Sequence, residues 1–78
     1  MMYFTEELVF EQRRKFNEKR RRLHLSRQKV ADFLDVSIST INRWDGYKRF
    51  MPTYENIKKI CFFVDSTDED IVNSIYLK

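Results

Sequence analysis

The sequence predicts an all-α domain of five short helices, and three observations carry that expectation. The 78 residues contain one Gly and one Pro, too few breakers for a sandwich of many strands and turns. Apolar residues recur at three- and four-residue spacings in five separate stretches. Thr5, Ser26, Ser37, Thr53 and Thr67 each stand just ahead of one of them, where an N-cap residue belongs.

The first stretch follows Thr5. Glu6 and Glu7 lie in its opening turn, where negative charge meets the helix dipole favourably. Val9, Phe16 and Leu23 lie seven apart and form its buried stripe. Arg20 shares that stripe, and an arginine facing inward needs a carboxylate. Arg14 and Arg21 are expected to face outward, with Lys15, Lys19 and Arg22 on the flanks. The run RRKFNEKRRR has the composition of a polybasic tail, but the apolar stripe within it makes it a helix. His24 then closes the helix in the left-handed conformation, which His tolerates better than most non-glycine residues.

From Ser26 to Trp44 two short helical patterns lie back to back. In the first, Val30, Ala31, Phe33 and Leu34 share a face. In the second, Ile41 and Trp44 share a face, while Ser39, Asn42 and Arg43 point away from it. Asp35 and Val36 between them leave room only for a sharp turn. Two short helices, a tight turn and a polar outer face describe a helix-turn-helix at about residues 26–45. The second helix of such a unit can enter a DNA major groove.

After it, Gly46 and Pro52 mark a loop whose exposed cations are Lys48 and Arg49. Thr53 caps a fourth helix with Ile57, Ile60, Cys61 and Val64 on one face. Thr67 opens the last, with Asp68, Glu69 and Asp70 at its positive end and Ile71, Val72, Ile75 and Tyr76 as its apolar face. With no linker and no repeat, residues 1–78 read as one domain. A chain of this length buries only about 60% of its unfolded surface, so its core is small and a partner surface would help it.

The net charge of +3 hides an asymmetry. Residues 13–59 hold fourteen Lys or Arg against five acids, a balance of +9, while residues 1–12 and 60–78 carry −3 each. A basic centre between acidic ends favours a polyanionic partner for the centre. The single cysteine excludes an internal disulfide and a multi-cysteine zinc site, and Cys61 reads as a buried structural thiol. His24, the only histidine, has no company for a metal site. No apolar run approaches ~18 residues, so no membrane-spanning helix is expected. The start, MMYFTEEL, turns acidic too early for a signal peptide, and the chain reads as cytoplasmic. An enzyme finds little support: there is no glycine-rich phosphate loop, no His or Cys beside a base, and the carboxylates sit where capping explains them. No cofactor, metal or small-molecule ligand is expected.

The stretch LHLSRQKVADFLDVSISTINRWDG, followed by PTYENIKKI, resembles the DNA-binding domain of the Cro and phage-repressor (Xre-type) helix-turn-helix family. The match runs from about Phe16 to Ile71. Leu25-Ser26, Val30-Ala31, Val36-Ser37, Ile41 and Trp44-Asp45 all sit at that family's spacing. The resemblance implies a five-helix lambda-repressor-like fold and a prokaryotic or phage-encoded regulator that binds double-stranded DNA as a homodimer. It implies that Ser37, Ile38 and Ser39 fall on base-reading or phosphate-reading positions, with Asn42 and Arg43 one turn on and also facing DNA. Arg27, with Gln28 beside it, falls where a polar residue anchors a phosphate; Lys48 and Arg49 would serve phosphates from the loop. Arg20 and Asp45 match an arginine and an acid that pair between the first and third helices.

Three departures from the family pattern stand out. Asp35 occupies the turn position usually held by Gly. Gly46 follows Asp45 directly, and the loop to Pro52 is one residue longer. Ile38 replaces a polar reader and can make only apolar contact, such as with a thymine methyl. By chemistry, Arg43 can grip a guanine edge and Asn42 an adenine edge. A different class of function stays open beside this one. Helix-turn-helix folds also serve as antitoxins or antirepressors whose main contact is another protein. The apolar surplus of Met2, Tyr3, Phe4, Phe10, Phe50, Met51 and Phe62 fits either that role or burial in a dimer.

Overall fold

Each helix begins at a side-chain hydroxyl. The computed structural model of the chain describes residues 4–46 and 50–77. Within them lie α1 (Glu6–Arg22), α2 (Arg27–Leu34), α3 (Ile38–Gly46), α4 (Tyr54–Asp65) and α5 (Asp68–Tyr76), with no strand among the described residues. The hydroxyls of Thr5, Ser26, Ser37, Thr53 and Thr67 accept from the backbone N–H three residues on, at 3.1–3.3 Å. Each thereby satisfies a donor that the helix cannot.

Two of the helices end in the same way. His24 and Asp35 both adopt φ of 57°. The N–H of Leu25 reaches back to the Arg20 carbonyl, and the N–H of Val36 to that of Ala31, each at 3.0 Å. This is the left-handed closure usually given to glycine, here made by a His and an Asp. Gly46, expected to mark a loop, instead ends α3. Its φ is not positive, and a Cβ there would meet nothing within 4 Å, so the backbone does not require a glycine.

The core is built around Phe16 on α1. Its ring stands edge-on to Trp44 of α3, with centroids 5.3 Å apart, and packs at 4.7 Å against Phe63 of α4. Leu25, Val30, Ala31, Leu34, Ile41, Ile60 and Ile71 close around these rings. On α4 the buried stripe is Ile57, Ile60 and Phe63. Cys61 and Val64, expected in that stripe, are only half-buried because the helix is rotated to bring Phe63 against Phe16. Burial still pushes the Cys61 thiol pKa up, against a weaker pull from the Gln12 amide 3.5 Å away. Phe50, placed in the apolar surplus, packs against the core.

Lys19 departs furthest from its expected flank position. It is 6% exposed, and its ammonium donates to the carbonyls of Phe63 (2.7 Å), Val64 (3.2 Å) and Ser66 at the end of α4. A cation at the negative end of a helix satisfies carbonyls that would otherwise lack donors. Burial lowers the Lys19 pKa, and Asp68, 3.9 Å away, opposes that. Arg22 also pairs with Asp68. No helix among the described residues is long and apolar enough to cross a membrane.

Candidate nucleic-acid interface

The nine residues of α3 divide into two faces. Ile41 and Trp44, three apart, are sealed in the core. Ser39, Asn42 and Arg43 are exposed on the other side. Ile38 lies one turn before Ile41, but at the helix start the core no longer covers it, and it is 41% exposed. Ser37 is turned to the backbone. Its hydroxyl accepts from the Thr40 N–H at 3.1 Å and shares a hydrogen bond with the Thr40 hydroxyl at 2.9 Å.

The C-terminal end of α3 is held by α1 through a residue that sequence reading passed over. Arg13 is 5% exposed. Its guanidinium donates to the carbonyls of Trp44 (2.7 and 3.1 Å), Arg43 (3.2 Å) and Phe50 (2.9 Å). Asn17 adds a further donor to the Trp44 carbonyl at 3.2 Å. One buried cation thus caps the helix that carries the exposed polar face and ties down the far side of the loop after it. Burial lowers the Arg13 pKa and Asp45 opposes it. The signal was present in the sequence: Val9, Arg13, Phe16 and Arg20 fall on one stripe at three- and four-residue steps.

Asp45 gathers three arginines. Its carboxylate accepts from Arg21 at 2.7 Å and from Arg27, and Arg20 Nη2 stands 4.0 Å away. The carboxylate is only 11% exposed, while Arg21 and Arg27 remain about half exposed. Arg21, expected simply to face outward, therefore belongs to this cluster as well. Arg20 spends its other arm on the Leu25 carbonyl at 3.0 Å. Burial lowers the Arg20 pKa and the nearby Asp45 opposes that. Three cations against one carboxylate leave a local surplus of positive charge beside the start of α2.

Of the other expected phosphate contacts, Gln28 directs its amide nitrogen to Asp32 along α2 at 2.9 Å. Lys48 and Arg49 lie outside the described residues. Arg43 carries its guanidinium over the Phe50 ring, 5.8 Å from the centroid, and Arg13 fixes that ring's backbone. No group of three or more His, Cys, Asp or Glu among the described residues is placed to hold a metal ion. No protein-family model, curated protein or solved structure matches the chain. The functional reading therefore rests on the chemistry of these side chains.

Proposed function

We propose that the chain is a small DNA-binding transcriptional regulator of the Cro-like repressor kind, acting as a homodimer through the outer face of α3. The observation that carries this reading is the division of α3 into a sealed face and an exposed polar face, beside a cluster of cations at the start of α2. In this reading α2 and α3 form a helix-turn-helix, with α2 over the phosphate backbone and α3 in the major groove. Arg43 brings two parallel donors for the O6 and N7 of a guanine, and Ser39 lies one turn before it. Ile38 offers apolar contact to a thymine methyl. Arg21 and Arg27 neutralise phosphates, and Lys48 and Arg49 contribute two further cations. The reading needs no cofactor and no catalytic group.

The homodimer is supported by apolar surface that the chain leaves uncovered. Phe62 is 58% exposed and Leu77 74%, on a domain with a small core. Two-fold pairing is the commonest way to cover such surface, and it would present two copies of α3 about 34 Å apart, one turn of DNA. A second reading, a protein-interaction module of the antitoxin or antirepressor kind, draws on the same exposed Phe62 and Leu77. Selection from a pool of random duplexes, followed by gel-shift titration over a range of salt, tests the first. It expects an enriched two-fold-symmetric sequence and affinity that falls steeply with salt. Enrichment of no sequence, with no duplex bound even at low salt, would favour the second.

A further inference from the structure

At 100° per residue, Asn42 and Arg43 belong to one exposed face of α3, and nothing in the sequence separates their roles. The structure separates them. Arg27 Nη1 donates to Asn42 Oδ1 at 3.2 Å, and its Nη2 donates to Asp45. Asn42 and Asp45, three apart, therefore form the flank of α3 that faces the start of α2. Ser39 and Arg43, four apart, lie on the exposed side away from that contact.

The contact also fixes which way the Asn42 amide is turned. A guanidinium has donors and no acceptor, so the amide atom facing Arg27 must be the oxygen. The nitrogen then presents only N–H donors, and among the described residues it meets no protein acceptor. Reading adenine requires an acceptor for N6–H₂ and a donor for N7 from the same amide. With its oxygen turned to Arg27, the Asn42 amide has one of its two acceptor lone pairs engaged on the α2 side and leads with its N–H donors. An amide that leads with its N–H donors among Arg21 and Arg27, whose charge exceeds that of Asp45, matches a phosphate oxygen, which only accepts.

We propose that Asn42 is a phosphate-holding residue oriented by Arg27, and that base reading on α3 falls to its neighbours Ser39 and Arg43. This rests on the DNA-binding reading above. It makes Arg27 and Asn42 one unit: Arg27 supplies charge and sets the amide, and Asn42 supplies a directed neutral donor.

The test uses the full chain with a selected duplex, a scrambled duplex and the variants N42A, N42D and R27A. Asn42 is exposed, so neither of its variants threatens the fold, and circular dichroism checks that. N42A is expected to weaken both duplexes by the same factor, about tenfold at most, with preferences at every base pair unchanged and the salt dependence as steep as before. N42D, which keeps the oxygen toward Arg27 but loses the donor and adds negative charge, should weaken both further. R27A should weaken both and flatten the salt slope by about one phosphate's worth. A methylphosphonate at the contacted phosphate should weaken the unaltered protein by more than it weakens N42A, which keeps the charge of Arg27 but has lost the donor. Loss of preference at a single A·T pair in N42A, with scrambled-duplex binding intact, would overturn this assignment alone. So would an N42A variant indistinguishable from the unaltered protein. Failure of the unaltered protein to bind either duplex would overturn the DNA-binding reading and this assignment with it.

Discussion

Arg13 Nη2 donates to the backbone carbonyl of Trp44 at 2.7 Å, from inside the protein, 31 residues away in the chain. The same guanidinium holds the carbonyls of Arg43 and Phe50. The orientation of α3, and with it the exposed side chain of Arg43, is therefore set by a buried cation on α1 as well as by the packing of Trp44 on Phe16.

Replacing Arg13 with Ala should strip its donors from the Arg43 and Phe50 carbonyls and leave the Trp44 carbonyl with Asn17 alone. Each unsatisfied group costs about 1–3 kcal/mol. Even the lower end, taken once, lowers the melting temperature of a domain this size by about 4–8 °C. Arg14→Ala, which removes only the exposed contacts to Glu11 and Glu18, should leave the melting temperature unchanged. Thermal melts followed by circular dichroism check the pair. Equal melting temperatures for the two variants would remove Arg13 from this role.

The Asp45 cluster predicts an order of stabilities. Loss of Arg20 leaves the carboxylate still paired with Arg21 and Arg27, so the change is that of a lost hydrogen bond to Leu25 and some packing, about 1 kcal/mol. Loss of Asp45 takes the carboxylate from three arginines at once and leaves Arg20, whose side chain is 12% exposed, with the Leu25 carbonyl alone, so it costs more than the loss of Arg20. The melting temperatures should therefore rise in the order Asp45→Ala, Arg20→Ala, Arg21→Ala. An Asp45 variant that melts with the Arg21 variant contradicts this.

How far the sequence reveals these features depends on distance along the chain. Helix starts are legible because a capping hydroxyl acts three residues away, and Thr5, Ser26, Ser37, Thr53 and Thr67 all do so. The left-handed position of His24 is legible for the same reason. The stripe places Arg13 inward, but the partners of Arg13 and Lys19 are not legible, because they are carbonyls about 30 and 44–47 residues away, on α3 and at the end of α4. Local spacing places a side chain on a face but does not say which helix covers that face. Phe63 is hidden from the reading for that reason: Ile57, Ile60, Cys61 and Val64 make an equally regular stripe, and only the rotation of α4 toward Phe16 decides between them. Asn42 and Arg43 look equivalent until Arg27 is known to lie beside one of them.

The turn between α2 and α3 predicts a stabilising substitution. Asp35 holds φ of 57° and ψ of 51°, a conformation that an L side chain enters at a penalty of about 1 kcal/mol and glycine enters freely. Asp35→Gly should raise the melting temperature by several degrees, less whatever the added freedom of the unfolded chain takes back. Among the described residues its tertiary hydrogen bond, from Lys59 Nζ at 3.2 Å, goes to its backbone carbonyl and survives the change. A lower melting temperature for the glycine variant would show that the aspartate side chain contributes something the geometry does not explain.

The central claim is that the outer face of α3 reads DNA sequence, and Arg43 tests it most directly. The measurement is a paired titration of the unaltered protein and Arg43→Ala against the selected duplex and its scrambled counterpart, over a range of salt. A guanine-gripping arginine carries about 1–3 kcal/mol of discrimination, so the variant should lose roughly ten- to a hundredfold of its preference for the selected duplex. Its affinity for the scrambled duplex should change comparatively little. An Arg43→Ala variant that keeps its full preference, or an unaltered protein that shows none, would contradict the account.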